Sequence, residues 1–219
     1  MTVINISSQF PIVEHYLSQI RDSKCQLERQ KFKKGVFVLG QILAIATSQY
    51  LEYEEKNVVT PFDTAKCKHL VSRPTIIPIL RAGLALQEGI SSILENCPIV
   101  YCNCPKGEDG NRYARLDSKD SIGLEAIICD PIIATGKSII STFNELKEIQ
   151  HPKKLFVLSI ISTDYSISQI QSCLPKQTIL ITCSIDSFTP GIRGTRPGLG
   201  DVGDLLYGQK NKNEDKFNL

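Results

Sequence analysis

Residues 127–138, IICDPIIATGKS, run from an apolar stretch into an acidic residue and then into a small-residue turn that opens an amphipathic segment. A chain that leaves a strand at Asp130 and enters a helix near Gly136 aims the unpaired N–H groups of the first helical turn into that turn. A phosphate monoester fits there, held by those donors and by the positive end of the helix dipole. The G-K-S ending also closes the nucleotide-triphosphate loop signature. That signature needs a glycine five residues before Gly136, where this chain has Pro131, and the spacing excludes it.

Around this turn, short apolar runs alternate with helical spacing. A short helix is expected around Glu14 to Arg21, and Phe32, Val36, Leu39, Leu43 and Ala46 mark one long helix from about Glu28 to Tyr50. Then come Thr75 to Leu80 followed by Gly83 to Leu94, Ile127 to Cys129 followed by Gly136 to Ile149, Leu155 to Ile161 followed by Tyr165 to Cys173, and Ile179 to Cys183. The alternation predicts an α/β domain with a parallel sheet and helices on both faces. Ligands collect at the carboxyl ends of the strands of such sheets. The turns at Arg81 and Asp130 each follow a strand directly, so both fall at that edge. Cys104 to Leu124 breaks the alternation with K-G-E-D-G-N and charged residues, and reads as a hairpin or mobile flap over the site. The polar tail from Gln209 to Leu219 reads as loose.

The 219 residues suffice for one core, and a single domain over 1–219 is expected. Acids and bases nearly balance at a net charge of +2 with no long basic block, so no polyanion-binding surface is indicated. Of the eight cysteines only Cys102 and Cys104 are close in sequence, and the three histidines sit far from them. Reduced thiols packed as small hydrophobes are expected, with Cys129 and Cys183 in the core. With no basic start leading into a long apolar stretch and no 18-residue apolar span, a cytosolic location is expected.

Three segments carry a family resemblance. Asp130 to Ser138, D-P-I-I-A-T-G-K-S, resembles the phosphoribosyl-pyrophosphate (PRPP) loop of type I phosphoribosyltransferases, in the form of the uracil branch. Ile77 to Leu84, I-P-I-L-R-A-G-L, resembles that branch's pyrophosphate loop, and Arg196 to Asp204, R-P-G-L-G-D-V-G-D, its uracil loop. Val13 to Asp22 is similar to its opening helix. The resemblance implies a type I phosphoribosyltransferase fold: a parallel core sheet with helices on both faces, plus a small hood built from the chain ends and the flap. It implies transfer of the phosphoribosyl group of PRPP to uracil, giving UMP and pyrophosphate in pyrimidine salvage, by a homodimer.

Residue by residue, the resemblance makes Asp130, Arg81 and Asp201 catalytic. Arg81, Ala82, Gly83, Lys106, Asp130, Pro131, Ile132, Ile133, Ala134, Thr135, Gly136, Lys137, Ser138 and Asp201 would bind PRPP. Thr195, Gly200, Asp201 and Val202, within a base-binding loop at about 190–208, would bind uracil. Mg²⁺ is expected to travel with the pyrophosphate rather than in a protein cage, because it prefers phosphate oxygens and its own waters. Positioning and charge complementarity carry the chemistry, with no protein nucleophile.

The chain departs from the family pattern at three places. Lys137 stands where a second glycine is usual. The flap, at about 104–124, lacks the arginine that reaches PRPP; Lys106 is the expected stand-in, with Arg112 and Arg115 as others. Gly194-Thr195-Arg196 replaces the usual Y-I-V, removing an aromatic and an apolar neighbour of the base. The same reaction on another base, or a non-catalytic nucleotide sensor that binds RNA, are the alternative readings. Lys33, Lys34, Lys66 and Lys68 are too sparse to build a basic face for the latter.

Overall fold

The computed structural model describes residues 1–119, 121–189 and 195–209. The tail beyond Gln209 and the residue Gly194 lie outside the described residues. The elements in order are β1 (Thr2–Asn5), α1 (Ile12–Arg21), α2 (Ser23–Gln26), α3 (Arg29–Ser48), β2 (Tyr53–Val59), β3 (Thr64–Leu70), β4 (Thr75–Pro78) and α4 (Gly83–Ser91). Then follow β5 (Cys102–Asn103), β6 (Arg115–Leu116), β7 (Glu125–Cys129), β8 (Ile132–Ile133), α5 (Lys137–Ile149), β9 (Lys154–Thr163), α6 (Asp164–Cys173), β10 (Ile179–Phe188), β11 (Thr195–Arg196) and α7 (Val202–Tyr207).

The central sheet runs β1-β10-β9-β7-β4 with every neighbouring pair parallel. Successive strand residues enter opposite layers: Ile76, Ile127, Phe156 and Ile181 pack with α1, α3 and α4, whereas Ile77, Ile128, Val157 and Leu180 pack with α5 and α6. Since both faces are covered, both alternating sets must be apolar, and the strands read as unbroken apolar runs. Gly40 on α3 and Gly89 on α4 let these helices cross closely; a Cβ at Gly40 would meet the Leu86 carbonyl oxygen at 2.5 Å. No described helix is long and apolar enough to cross a membrane.

Three features differ from or sharpen the sequence reading. The first residues form β1, an edge strand of the core sheet paired with β10, which the sequence reading did not assign. The 53–70 segment, which the apolar pattern left unassigned, is the antiparallel hairpin β2–β3. It carries Val59 at 84% and Phe62 at 99% exposure near its tip. The expected flap is a hairpin built on β5 and β6, with Lys106 and Arg112 bridged across its arms. It rests on α5, where Ser141 Oγ donates to the Arg112 carbonyl at 2.9 Å and accepts from Ala114 N at 2.9 Å.

Candidate active site

The Asp130 turn is laid along β9 by backbone bonds. Asp130 N donates to the Leu158 carbonyl at 3.1 Å, and the Pro131 carbonyl accepts from Ile160 N at 3.0 Å and Ile161 N at 2.9 Å. Thr163 Oγ1 holds the Ala134 carbonyl at 2.7 Å. The turn ends at Gly136, whose φ of 77° needs a residue free of a Cβ. A Cβ there would also lie 3.0 Å from Ile170 Cγ1 on α6. No side chain caps α5, which leaves its first-turn donors to an incoming anion. Lys137, at the first helical position, is exposed and donates from Nζ to the Gly110 carbonyl of the hairpin at 3.3 Å.

The second turn is pressed against the first. Ile79 N donates to the Cys129 carbonyl at 3.0 Å, and a Cβ on Gly83 would meet that same oxygen at 2.9 Å. Only glycine lets α4 start this close to the residue before Asp130. Arg81 Nη2 donates to Asp204 Oδ1 at 3.2 Å and to the Gly208 carbonyl at 3.2 Å. Its buried Nε has no partner among the described residues. An orphaned guanidinium donor in a cleft is a ready place for an anion.

The third segment is the 195–208 loop. β11 pairs with β10, Phe188 opposite Thr195 and Ser187 opposite Arg196. Gly198 and Gly200 have φ of 64° and 89°. Leu199 and Val202 are 4% and 3% exposed, so their side chains anchor the loop in the core, and Gly200 and Asp201 stay on the surface between them. Only the backbone of Val202 is left to face a ligand. Arg196 is exposed. Asp201 caps α7 by accepting from Asp204 N at 3.1 Å.

Charge ties the three segments together. Burial pushes the Asp130 carboxyl up to about 7; the Ile132 N–H and the Arg112 guanidinium oppose the rise, and the Asp201 carboxylate adds to it. Arg112 also donates from Nη1 to the Cys104 carbonyl at 3.1 Å, at the base of the hairpin beside α5. Lys106 is exposed, and its Cε lies 3.8 Å from where a Cβ on Gly110 would be. No group of three His, Cys, Asp or Glu side chains that could hold a metal occurs among the described residues. All eight cysteines are free thiols. Burial pushes Cys102 up to about 12 and Cys129 and Cys183 further, which suits packing and not chemistry.

The uracil phosphoribosyltransferase family model matches residues 7–209, which include all three turns. The chain belongs to the uracil phosphoribosyltransferase family. A uracil phosphoribosyltransferase of Wolinella succinogenes is 31% identical over 215 residues, covering 96% of this chain and 100% of that protein. One from Porphyromonas gingivalis is 27% identical over 215 residues with the same coverage. A solved structure of an Aquifex aeolicus protein matches with a TM-score of 0.80 at 24% identity, over 94% of this chain and 98% of that one, a likeness of fold.

Membership of the uracil phosphoribosyltransferase family covers the loops but not everything that holds them. Local reading passed over Asp186, Ser184 and Gln26, and named Arg21 only as part of a helix. These residues fasten the 195–208 loop from across the chain: Arg21 and Asp186 pair at 2.8 Å, 165 residues apart. Thr163, which holds the Asp130–Gly136 turn through the Ala134 carbonyl, falls between the strand expected to end at Ile161 and the helix expected from Tyr165. The one local signal that could have pointed to Asp186 is its charge within the otherwise apolar and polar-neutral strand β10.

Proposed function

We propose that this chain transfers the phosphoribosyl group of PRPP to uracil, releasing pyrophosphate and forming UMP, and so serves pyrimidine salvage. The observation that carries this reading is the convergence on Asp130: the pyrophosphate-type turn touches the carbonyl before it, and the charges of Arg112 and Asp201 both reach it.

In this reading the backbone donors from Thr135 to Ser138, with the two hydroxyls, take the 5′-phosphate. Arg81, with the Ala82 and Gly83 backbone, takes the pyrophosphate, where a planar guanidinium matches two oxygens at once. Asp130 accepts from the ribose hydroxyls. As the bond from C1 to pyrophosphate lengthens, positive charge develops on the sugar, and the carboxylates of Asp130 and Asp201 favour it. Uracil N1 bonds to the opposite face of C1 as the bond to pyrophosphate breaks, and its proton passes to water. Gly200, Asp201 and Val202 read the base edge through their backbone, beside Thr195. Of the hairpin cations, Arg112 is favoured over Lys106 as the one that meets PRPP, since its charge already acts on Asp130.

The two carboxylates can supply only part of a magnesium shell, which fits an ion that arrives on PRPP and keeps its waters. When bound, that ion neutralises the departing pyrophosphate. Eight free thiols fit a reducing cytosol. A homodimer is the proposed assembly, and the apolar tip of the β2–β3 hairpin supports it.

Purified protein with Mg²⁺ and PRPP is offered uracil, cytosine, orotate, hypoxanthine and adenine separately. UMP and pyrophosphate should form with uracil. Conversion of a different base instead would overturn the uracil assignment, and PRPP binding with no conversion of any base would make the protein a sensor.

A further inference from the structure

Beneath the base-binding loop lies a polar network that no step of the proposed reaction uses. Asp186, at the end of β10, is 2% exposed at its side chain and accepts four bonds. Its Oδ2 takes Arg21 Nη1 and Gly198 N, each at 2.8 Å. Its Oδ1 takes Arg21 Nη2 at 2.8 Å and Ser184 Oγ at 2.9 Å. Burial opposes ionisation of this carboxyl, yet the bonds from Arg21, Gly198 N–H and Ser184 hold it below its usual value. Arg21 also donates to the Gly198 carbonyl at 3.1 Å. Gln26 joins the Ile20 and Leu199 carbonyls, each at 2.8 Å.

Every tether lands on the backbone of Gly198 or Leu199, immediately before the exposed pair Gly200 and Asp201. Burial of Val202 fixes the other end of that pair. The two residues therefore form a short bridge whose peptide planes are set from α1 and α2 on one side and from the core on the other. We infer that Arg21 and Gln26 are positioning residues that orient the peptide groups of Gly200 to Val202 toward the base, and so set uracil affinity and discrimination. This rests on the uracil reading above. With an aromatic and an apolar neighbour of the base replaced by Gly194-Thr195-Arg196, recognition depends more heavily on those backbone groups. A displacement of order 1 Å at such a site costs on the order of 10²-fold, and a misplaced polar edge loses its selectivity against the wrong base.

Lysine keeps the charge at position 21 but cannot reach Asp186, Ser184 and the Gly198 carbonyl together. Arg21→Lys should raise the KM for uracil about tenfold or more, lower the ratio of uracil to cytosine conversion, and leave the KM for PRPP within about twofold. Leu199 and Val202 remain buried, so the folded fraction and its PRPP binding should persist. Gln26→Ala, at a half-buried site, carries the same test in a milder form if Arg21→Lys fails to fold. Unchanged uracil constants, or equal rises for both substrates, overturn the inference. Failure of the wild-type protein to convert uracil would instead overturn the parent reading.

Discussion

Burial pushes the Asp130 carboxyl up to about 7 from 3.8, so at pH 8 the folded chain holds an anion that the unfolded chain holds at lower cost. Between about pH 4 and 7 the unfolded state releases its proton first, and stability falls as pH rises through that window. Asp130→Asn should therefore melt higher than wild type at pH 8, by about 2–4 kcal/mol, with the difference closing as pH falls to about 4. The same change should reduce turnover on the order of 10²-fold or more, because it removes the charge that the proposed reaction directs at the sugar. Scanning calorimetry and a coupled assay across pH check both. Equal melting at pH 8 would mean the carboxyl is not strained by its surroundings, and near-normal turnover would remove it from the site. Asp130 as a residue was legible from the D-P-x-x-A-T-G string. Its raised pKa was not, since that comes chiefly from burial by packing around the turn, with Asp201 adding to it from another segment.

At the scale of elements, the β5–β6 hairpin is held on α5 by Ser141 and Lys137, and the charge of its Arg112 acts on Asp130. A charge-assisted contact to phosphate is worth about 1.5–3 kcal/mol, or roughly 10- to 100-fold in affinity. Arg112→Ala should raise the KM for PRPP by that factor with the uracil KM nearly unchanged, while Lys106→Ala changes neither. The reverse pattern in steady-state kinetics would return the role to Lys106. The hairpin was legible as an interruption of the apolar alternation, but its arms were not, because the cross-strand register decides which residue points inward. β4, β7, β9 and β10 were legible because helices cover both of their faces and force continuous apolar runs. β2 (YEEKNVV) is exposed along most of its length and β3 (TAKCKHL) is only half-buried on one face, so neither carries a continuous apolar run and they gave no such signal. β1 adds four residues to the edge of a finished sheet, too few for a period to show.

The whole molecule exposes Val59 and Phe62 at the end of a hairpin that packs little against the core. Leaving such side chains in water forgoes about 1.5–3 kcal/mol each, the gain from burying them. Val59→Ser with Phe62→Ser should shift the species in sedimentation velocity from dimer toward monomer while far-UV circular dichroism stays unchanged. A wild-type protein that sediments as a monomer would remove the dimer from the proposal. Long-range pairs such as Arg21 with Asp186 belong to this scale too, and no local pattern could have joined them.

Arg81 joins the turn after β4 to the segment around α7. Its guanidinium is engaged by Asp204 on α7, the helix that follows the exposed pair Gly200 and Asp201, and by the Gly208 carbonyl just past it. In the proposed reaction a pyrophosphate group can take the Nε that has no partner among the described residues, while Nη2 keeps Asp204 and the Gly208 carbonyl. One guanidinium thus stands between the turn proposed for the donor and the helix that follows the loop proposed for the base.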